Sequence, residues 1–325
     1  MQSLKYYFEH PKIFWNIILY RFGGWIPDKW YLKLKFRLWM GKKLDLDSPK
    51  SYSEKLQWLK LYDRRPEYTL MVDKVKAKEY VASVLGSEYV IPTFGVWDDP
   101  ENIDFSSLPD RFVLKCNHNS GLGMYICKNK SKMDISKIKA DLRKGLKQNF
   151  YLGGREWPYK NVQRRILAEE YIEPQNMTNV DIPDNQLDVD LLDYKFFCFN
   201  GIVRALFIAT GRNKGPHETR FDFYDESFNH LPFTNGHPNA DKRPQKPYRF
   251  DEMKALAEKL SQGIPHVRVD FYEVNNRIYF GEMTFFHWSG FKPFVPEDWD
   301  YKFGSWLELP EKRSGKLHHK LDNNA

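Results

Sequence analysis

The chain is poor in cysteine. It has three in 325 residues, Cys116, Cys127 and Cys198, and none form a CxxC pair. That excludes a disulfide framework and a cysteine-built zinc site, and it suits free thiols in a reducing cytoplasm. Long apolar runs are also missing. No stretch approaches the roughly 20 residues that a spanning helix needs. The N-terminus lacks the basic start, clean apolar core and small-residue cleavage site of a signal peptide. The Asn176-Met177-Thr178 sequon therefore carries no weight. There is no internal repeat, no zinc-finger spacing and no nucleic-acid recognition signature, so nucleic acid is not an expected partner. A Walker loop needs a closing Gly-Lys-Ser/Thr ahead of a helix, and a dinucleotide-binding turn also opens a helix. The glycine-bearing loop Asn117 to Gly123 runs between two strand-like segments instead. No Ser-His-Asp pattern is visible.

What is present points to a globular protein: 16% aromatic and 42% hydrophobic residues. The net charge of +7 suggests an anionic partner without choosing among nucleotide, acidic sugar, membrane and nucleic acid. Residues 1 to 66 interleave Lys5, Lys12, Arg21, Lys29, Lys33 and Arg37 with Trp15, Trp25, Trp30, Phe36 and Trp39. Leu32, Phe36 and Trp39 recur at helical spacing. Such a segment either packs its stripe on the main domain or makes a peripheral contact with an anionic membrane or lipid carrier. Ser53 to Leu61 reads as a second amphipathic helix, broken at Arg64-Arg65-Pro66.

Asp73 can cap a helix through Val75, Val81, Val84 and Leu85 that stops at Gly86 and carries Lys74, Lys76 and Lys78. Arg111 to Cys116 is a strand in which Lys115 interrupts an apolar run, which is unusual unless it meets an anion. Met124 to Cys127 is a strand too. The loop between them could lie over phosphates, offering amides from Ser120 to Gly123, although an ordinary hairpin explains it as well. His118 alone reads as structural. Residues 134 to 148 look helical, and Gly153-Gly154-Arg155 looks like a mobile loop. Ile166 to Ile172 is a strand holding Glu169 and Glu170, acids that an exposed edge would explain. Residues 174 to 190 read as a linker. Asp193 to Phe199 turns at Asn200-Gly201 into Ile202 to Ala209, which should project Lys195 and Arg204 from one face. Residues 210 to 248 form a long irregular region with Arg212, His217 and Arg220, typical of substrate loops. Phe250 to Gln262 is an amphipathic helix, and the tail after Pro310 should fray.

The stretch from His266 to Phe286 organises the rest. It reads as two strands around an Asn-Asn pair. With a three-residue loop, Asn275 to Arg277, Val274 faces Ile278, Asp270 faces Glu282 and Arg268 faces Thr284. Those four polar residues then share one face, and Val267, Val269, Phe271, Met283 and Phe285 supply the core face. Opposed carboxylates repel, and a divalent cation with a taste for hard oxygen would compensate, as would Arg268 on a merely solvated face. A two-residue loop would separate the acids.

The ordered set resembles the TupA-like family of the ATP-grasp superfamily, found among polysaccharide and teichuronopeptide biosynthesis proteins. The residues that carry the match are Ser53-Glu54-Lys55-Leu56-Gln57-Trp58, Asp73-Lys74, Phe112-Val113-Leu114-Lys115, Asn117-His118, Asp193-Tyr194-Lys195-Phe196, Val269-Asp270-Phe271-Tyr272 and Phe280-Gly281-Glu282-Met283-Thr284-Phe285. It spans roughly residues 25 to 310. The resemblance implies an α+β, ATP-grasp fold: two α+β subdomains clasping ATP, with an N-terminal helical extension at 1–66, a small subdomain at 67–172 and a C-terminal core at 173–325. It implies that Lys74 and Lys115 hold ATP phosphates, and that His118, Ser120, Gly121 and Gly123 belong to the flap. Glu169, with backbone of Glu170 and Ile172, would line adenine. Asp270, Glu282 and Thr284 would face Mg²⁺, and Arg268 and Lys195 would serve catalysis. Two positions depart from the pattern. Thr284 stands where many members have Asn, leaving a poorer ligand, and Asn119 stands where the flap should have glycine.

The expected activity is a carboxylate–amine ligase working through an acyl-phosphate, joining an amino acid to an acidic sugar in surface or capsular polysaccharide biosynthesis. Arg204, Arg212 and Arg220 are candidates for gripping the acid, and Trp288 either stacks on a sugar or packs in the core. The expected location is cytoplasmic, with peripheral contact at the inner membrane face. A glycosyltransferase is the alternative, for which Asp188-Val189-Asp190 has the required letters. A non-catalytic module binding anionic glycan is the other.

Overall fold

The computed structural model describes residues 11–173 and 191–312. The sequon at Asn176, the Asp188-Val189-Asp190 triplet and most of the C-terminal tail lie outside the described residues. The chain begins with α1 (Pro11–Phe22), α2 (Asp28–Met40), α3 (Tyr52–Tyr62), α4 (Glu67–Val72) and α5 (Lys76–Val84). A first sheet follows, from β1 (Thr93–Trp97), β2 (Phe112–Cys116), β3 (Met124–Cys127) and β4 (Ile166–Glu170), with α6 (Ile135–Lys147) and α7 (Phe150–Gly154) inserted before β4. The second sheet is built from β5 (Asp193–Phe199), β6 (Ile202–Thr210), β7 (Arg220–Asp225), β8 (His230–Leu231), β10 (His266–Val274) and β11 (Arg277–Thr284). β9 (Thr234–Asn235) pairs with β12 (Phe294–Val295), and α8 (Phe250–Leu260) and α9 (Asp298–Trp306) complete the fold.

The sheets run β1-β4-β2-β3 and β11-β10-β5-β6-β7-β8, with antiparallel neighbours throughout. The acidic strand β4 is therefore central, not an exposed edge. Its Glu169 is buried because cations reach it, and Glu170 alone is exposed. The region 210 to 248 is also more regular than expected, since β7 adds a full strand to the second sheet.

Every residue of β5 is buried, so both faces of the second sheet are covered. On one face Phe196, Cys198, Val267 and Val269 meet α8 through Phe250, Met253 and Ala257. The opposite face is closed at one end by an aromatic plug. Tyr52 of α3 packs on Phe197, Phe199, His266, Phe294 and Phe303. The motif around Ser53 locks this plug in place. Ser51 and Glu54 form a capping box, and Ser53 donates from N–H and Oγ–H to Asp300 Oδ1 at 2.8 and 2.9 Å. Lys55 closes the last carbonyls of α9 at Gly304 and Leu307.

The Gly153-Gly154-Arg155 segment is not a mobile loop. Gly153 and Gly154 end α7, and Arg155 is buried at 1% exposure. Its guanidinium lies 4.0 Å from the Tyr31 ring centre and donates to Gly23 O at 2.6 Å. A buried cation needs such partners, and here they tie α2 to the body of the protein. Leu32 and Phe36 are fully buried and Trp39 partly so, whereas Phe22, Trp25 and Trp30 are exposed. Among the described residues no helix is long and apolar enough to cross a membrane.

Burial lowers His266 to about 3, although the Cys198 carbonyl that its Nδ1 meets at 2.9 Å works the other way. Burial likewise lowers His118 to about 4. Both are neutral in the fold, while in the unfolded chain they charge near pH 6.5. The unfolded state then binds more protons below that pH. Stability is complete above about 6.5 and should fall toward pH 4, by up to about 1 kcal/mol per pH unit for each histidine. Thermal unfolding between pH 7 and 4.5 tests this, and a flat melting temperature across that window would contradict it.

Candidate active site

The hairpin β10–β11 reaches the expected face by an unexpected route. Asn275 and Asn276 both take left-handed backbone, φ 53° and 58°, so the turn has two residues and not three. Asparagine tolerates that region better than most residues. Val274 therefore pairs with Arg277, not Ile278. Carried on unchanged, this register would set Asp270 opposite Gly281 and send Glu282 to the other face. A β-bulge corrects it: Phe271 pairs with Phe280, but Asp270 pairs with Glu282 and Arg268 with Thr284. Gly281 is the extra residue. A Cβ there would sit 3.2 Å from the Asp270 carbonyl oxygen and from the Tyr272 ring, which explains the glycine.

Arg268 is the hub of this face. Its Nε and Nη2 donate to the two oxygens of Asp270, each at 2.7 Å. Nη2 also donates to Glu282 Oε1 and to Thr284 Oγ1, both at 3.0 Å. Nη1 donates to His287 Nδ1 at 2.9 Å, so His287 must carry its proton on Nε2, which donates to Asn235 Oδ1 at 3.0 Å. Burial and the guanidinium hold His287 well below its usual value, and hence neutral.

Lys195 adds a second buried cation. It pairs with Asp270 and, at 2.6 Å, with Asp193, which in turn accepts from Arg212 at 3.0 Å. Arg204 does not join it. A bulge in β6 puts Ala205 opposite Phe197 and Phe207 opposite Lys195, leaving Arg204 as the extra residue. The Phe207 ring takes the place expected for it, beneath Lys195 and Arg268 at 6.0 and 5.6 Å. Arg220 is turned to the carbonyls of His217 and Thr219.

The first sheet supplies the facing wall. Lys115 meets its expected anion within the protein: Glu169, which also pairs with Lys78 at 2.9 Å. Burial pushes the Glu169 carboxyl up, and the two lysines outweigh it and hold it below the usual carboxylate range. Lys74 lies in the turn before α5 and donates to Asn119 O at 2.6 Å. Burial lowers its ammonium, and Glu282 is the largest influence opposing that. Glu282 in turn sits below the usual range: burial raises it, but Lys195, Arg268 and Lys74 prevail. Lys74, in the turn before α5, and Glu282, on β11, thus influence each other electrostatically.

The loop between β2 and β3 is anchored at its ends and exposed at its tip. Asn117 is buried, with its amide on Asp73 and Gln163 O, and Asn119 donates to Gly145 O at 3.2 Å. His118 turns inward to Gln148 O at 3.1 Å, away from the tip. Gly123 lies so close to Gly145 that a Cβ would come within 2.9 Å of its Cα. Ser120 and Gly121 are exposed. The Glu170 amide is spent on Pro92 O, and Ile172 is half-buried beyond the strand end.

The donor set suits Mg²⁺, which prefers carboxylate oxygen. Among the described residues no three His, Cys, Asp or Glu side chains gather as a preformed cage. Glu282 keeps 38% of its side chain exposed, and its named bonds fall on Oε1, which leaves Oε2 for an ion. Both Asp270 oxygens face Arg268. Sequence reasoning missed Asp193, Lys78 and His287 in this site. The i, i+2 spacing of Asp193 and Lys195 and the i, i+4 spacing of Lys74 and Lys78 could have disclosed the first two. Nothing in the sequence signals the left-handed turn that aims His287.

The family model of the TupA-like ATP-grasp proteins matches residues 54–308. The chain belongs to that family. Its fold is accordingly the ATP-grasp fold. No curated protein sequence matches it. Solved structures that it resembles include the D-alanine–D-alanine ligase of Helicobacter pylori, at 13% identity, TM-score 0.42, over 80% of this chain and 70% of that one. Another is the Bacillus anthracis D-alanine–D-alanine ligase complexed with ATP, at 11% identity, TM-score 0.38, over 66% and 54%. The biotin carboxylase domain of Hydrogenobacter thermophilus 2-oxoglutarate carboxylase follows at 15%, TM-score 0.40, over 75% and 47%. The match thus spans only about half the length of two of these three. At such identities the family assignment rests on the family model alone.

In this ATP-grasp protein Arg268→Ala would leave Asp270 fully buried against Lys195 alone. Breaking a buried pair of this kind costs about 3–5 kcal/mol. Urea unfolding should show a loss near the lower end, because Lys195 remains. A loss below about 1 kcal/mol would mean that Arg268 does not hold the cluster together.

Proposed function

We propose that this protein is an ATP-dependent carboxylate–amine ligase that joins an amino acid to an acidic sugar, a uronic acid, in surface or capsular polysaccharide biosynthesis. The observation that carries the reading is the face of the second sheet on which Arg268 and Lys195 pair with Asp270 while Glu282, paired to Arg268, stays partly exposed beside them. Phosphoryl transfer needs little covalent help from protein; it needs position and positive charge. An oxygen of the substrate carboxylate attacks the γ-phosphorus of ATP, the bond to the β-phosphate oxygen breaks, and ADP leaves. The amine then attacks the acyl carbon, phosphate departs with the C–O electron pair, and the amine gives up a proton.

Lys74 and Lys115 would bind the phosphates, and the amides of Ser120, Gly121 and Gly123 would cover them. His118 and Asn119 would hold that loop from below. Glu169, Glu170 and Ile172 would border adenine. Glu282, with Asp270 and Thr284 beside it, would hold Mg²⁺, which neutralises charge on the transferring group. Arg268 and Lys195 would steady the same charge, and Arg212 would grip the acid at Asp193. In this reading residues 1–66 are the extension, 67–172 the small subdomain and 173–325 the core.

The test is purified protein with ATP, Mg²⁺ and a panel of uronic acids and amino acids. ADP and phosphate should appear only when both an acid and an amine are present, and EDTA should stop their release. UDP release from a sugar donor would instead indicate a glycosyltransferase, and no turnover at all would indicate a binding module. Glu282→Gln should abolish turnover with an unchanged circular-dichroism spectrum, because the side chain keeps its shape. An unaltered steady-state rate in that variant would remove Glu282 from the metal site.

A cytoplasmic location with peripheral contact at the inner membrane face completes the reading. α1 exposes Phe14, Trp15, Ile17 and Phe22, with Trp25 at 83% exposure just beyond it, and no acid lies between Pro11 and Pro27. α2 adds exposed Trp30 and Leu34 beside Lys29 and Arg37. Such a surface fits an anionic bilayer. The protein should co-sediment with phosphatidylglycerol vesicles and not with phosphatidylcholine vesicles, and Trp25→Ser with Trp30→Ser should weaken binding severalfold. Equal binding to both lipids would count against the charge argument.

A further inference from the structure

We propose that the cleft between α1, α2 and the turn at Trp288 is the subsite for the pyranose ring of the carboxylate substrate, with Trp288 as its platform. The inference rests on the ligase reading and adds the place where the sugar sits. The cleft has a volume of about 260 Å³ and is bordered by Asn16, Lys35, Trp39, Glu156 and Trp288. Pockets for drug-sized ligands run to roughly 300–1,000 Å³. This cleft is a little smaller, a size that suits a ligand of one ring.

The turn is built in a way that packing alone does not require. Trp288 and Ser289 both have left-handed backbone, φ 49° and 55°, although neither is glycine. Such strained backbone persists where neighbours over-determine it. Here α3 does so. Gln57 Nε2 donates to the carbonyls of Ser289 and Gly290 at 3.0 and 3.1 Å, and Lys60 Nζ donates to Ser289 O at 2.8 Å. Ser289 Oγ–H donates to the buried Glu156 carboxylate. The indole is backed by Phe221, with ring centres 6.1 Å apart and planes at 26°, has Lys292 Nζ 5.6 Å from its ring centre, and is 38% exposed, so a stacked ring would displace or share that ammonium.

The rim has what hydroxyl groups need. Lys35 is 7% exposed and gives two of its N–H bonds to Asn16 and Gly153 O. Its Nζ also lies 5.1 Å from the ring centres of Trp39 and Phe291, and in the proposed subsite the third N–H would donate to a sugar oxygen. Glu156 can accept from a hydroxyl. A pyranose pairs an apolar face of C–H groups with a polar rim, which matches an indole flanked by a buried ammonium and a carboxylate. The connection to chemistry is short, since His287, the neighbour of Trp288, accepts from Arg268.

Titration calorimetry of the full chain without ATP tests this, using methyl glucuronide, methyl galacturonide and methyl glucoside. At least one uronide should bind saturably. Trp288→Ala should weaken it at least tenfold, Trp288→Phe should restore most of the loss, and Asn16→Leu at the mouth should weaken it severalfold. Circular dichroism checks that each variant folds. No heat from any of the three sugars, or binding unchanged in Trp288→Ala and Asn16→Leu, overturns the subsite. In that case, ADP release that still depends on an acid and an amine would leave the ligase reading standing. Sugar binding without any ADP release would fail the ligase reading and keep the subsite.

Discussion

The structure depends on burying Arg268 among carboxylates. Three acids, Asp193, Asp270 and Glu282, converge on one sheet face, two of them directly opposed across the hairpin. Like charges at that spacing would drive the strands apart in a low-dielectric interior. Arg268 prevents this by spreading one charge over Asp270, Glu282, Thr284 and His287 at distances of 2.7 to 3.0 Å. Lysine could not replace it, because a point charge cannot serve a bidentate carboxylate and a neutral imidazole together. His287 must then be neutral, and the Asn235 oxygen on its far side fixes the tautomer.

The aromatic plug explains why this face is polar at one end only. His266 and Arg268 are two residues apart on one strand and point the same way, yet one meets Tyr52 and the other the acids. The boundary is set by α3, whose Tyr52 fills the space over Phe197 and Phe199. Water is kept from the floor of the cluster while its rim, at Glu282, stays open. In the proposed ligase such a contrast would favour phosphate, since fields are stronger where water is excluded from one side.

Much of this was legible in the sequence, because period-two alternation and Asn-Gly or Asn-Asn turns report strands directly. Alternation set Arg268 with Asp270 and Glu282 with Thr284, but their joining on one face was expected from a three-residue turn, and the turn has two residues. A bulge, not the turn, restores that register. Two bulges, at Gly281 and at Arg204, each shift a ladder by one residue, in opposite senses for the argument: the first brings Glu282 in, and the second takes Arg204 out of step with Lys195. A bulge depends on local packing, here the space left by a missing Cβ at 281, and alternation alone does not reveal it. Arg155 shows the same gap. Two glycines and an arginine look mobile in sequence, and only the tertiary placement of Tyr31 turns them into an anchor.

The family match begins at Glu54, and that boundary separates two kinds of contribution. Both sheets, their cations and their acids lie inside it, as do Gln57 and Lys60 of α3, whose first two residues, Tyr52 and Ser53, precede it. α1 and α2 lie outside, and they supply Asn16, Tyr20, Lys35 and Trp39 to the cleft beside Trp288. The groups suited to a nucleotide thus belong wholly to the part that matches the family model, whereas the cleft is shared with the part that does not. If the proposed reaction and subsite hold, such a chain could keep one phosphoryl chemistry and change its substrate through the preceding helices. α3 is the joint between the two, because its Gln57 and Lys60 hold the Trp288 turn while its Tyr52 closes the floor beneath Arg268.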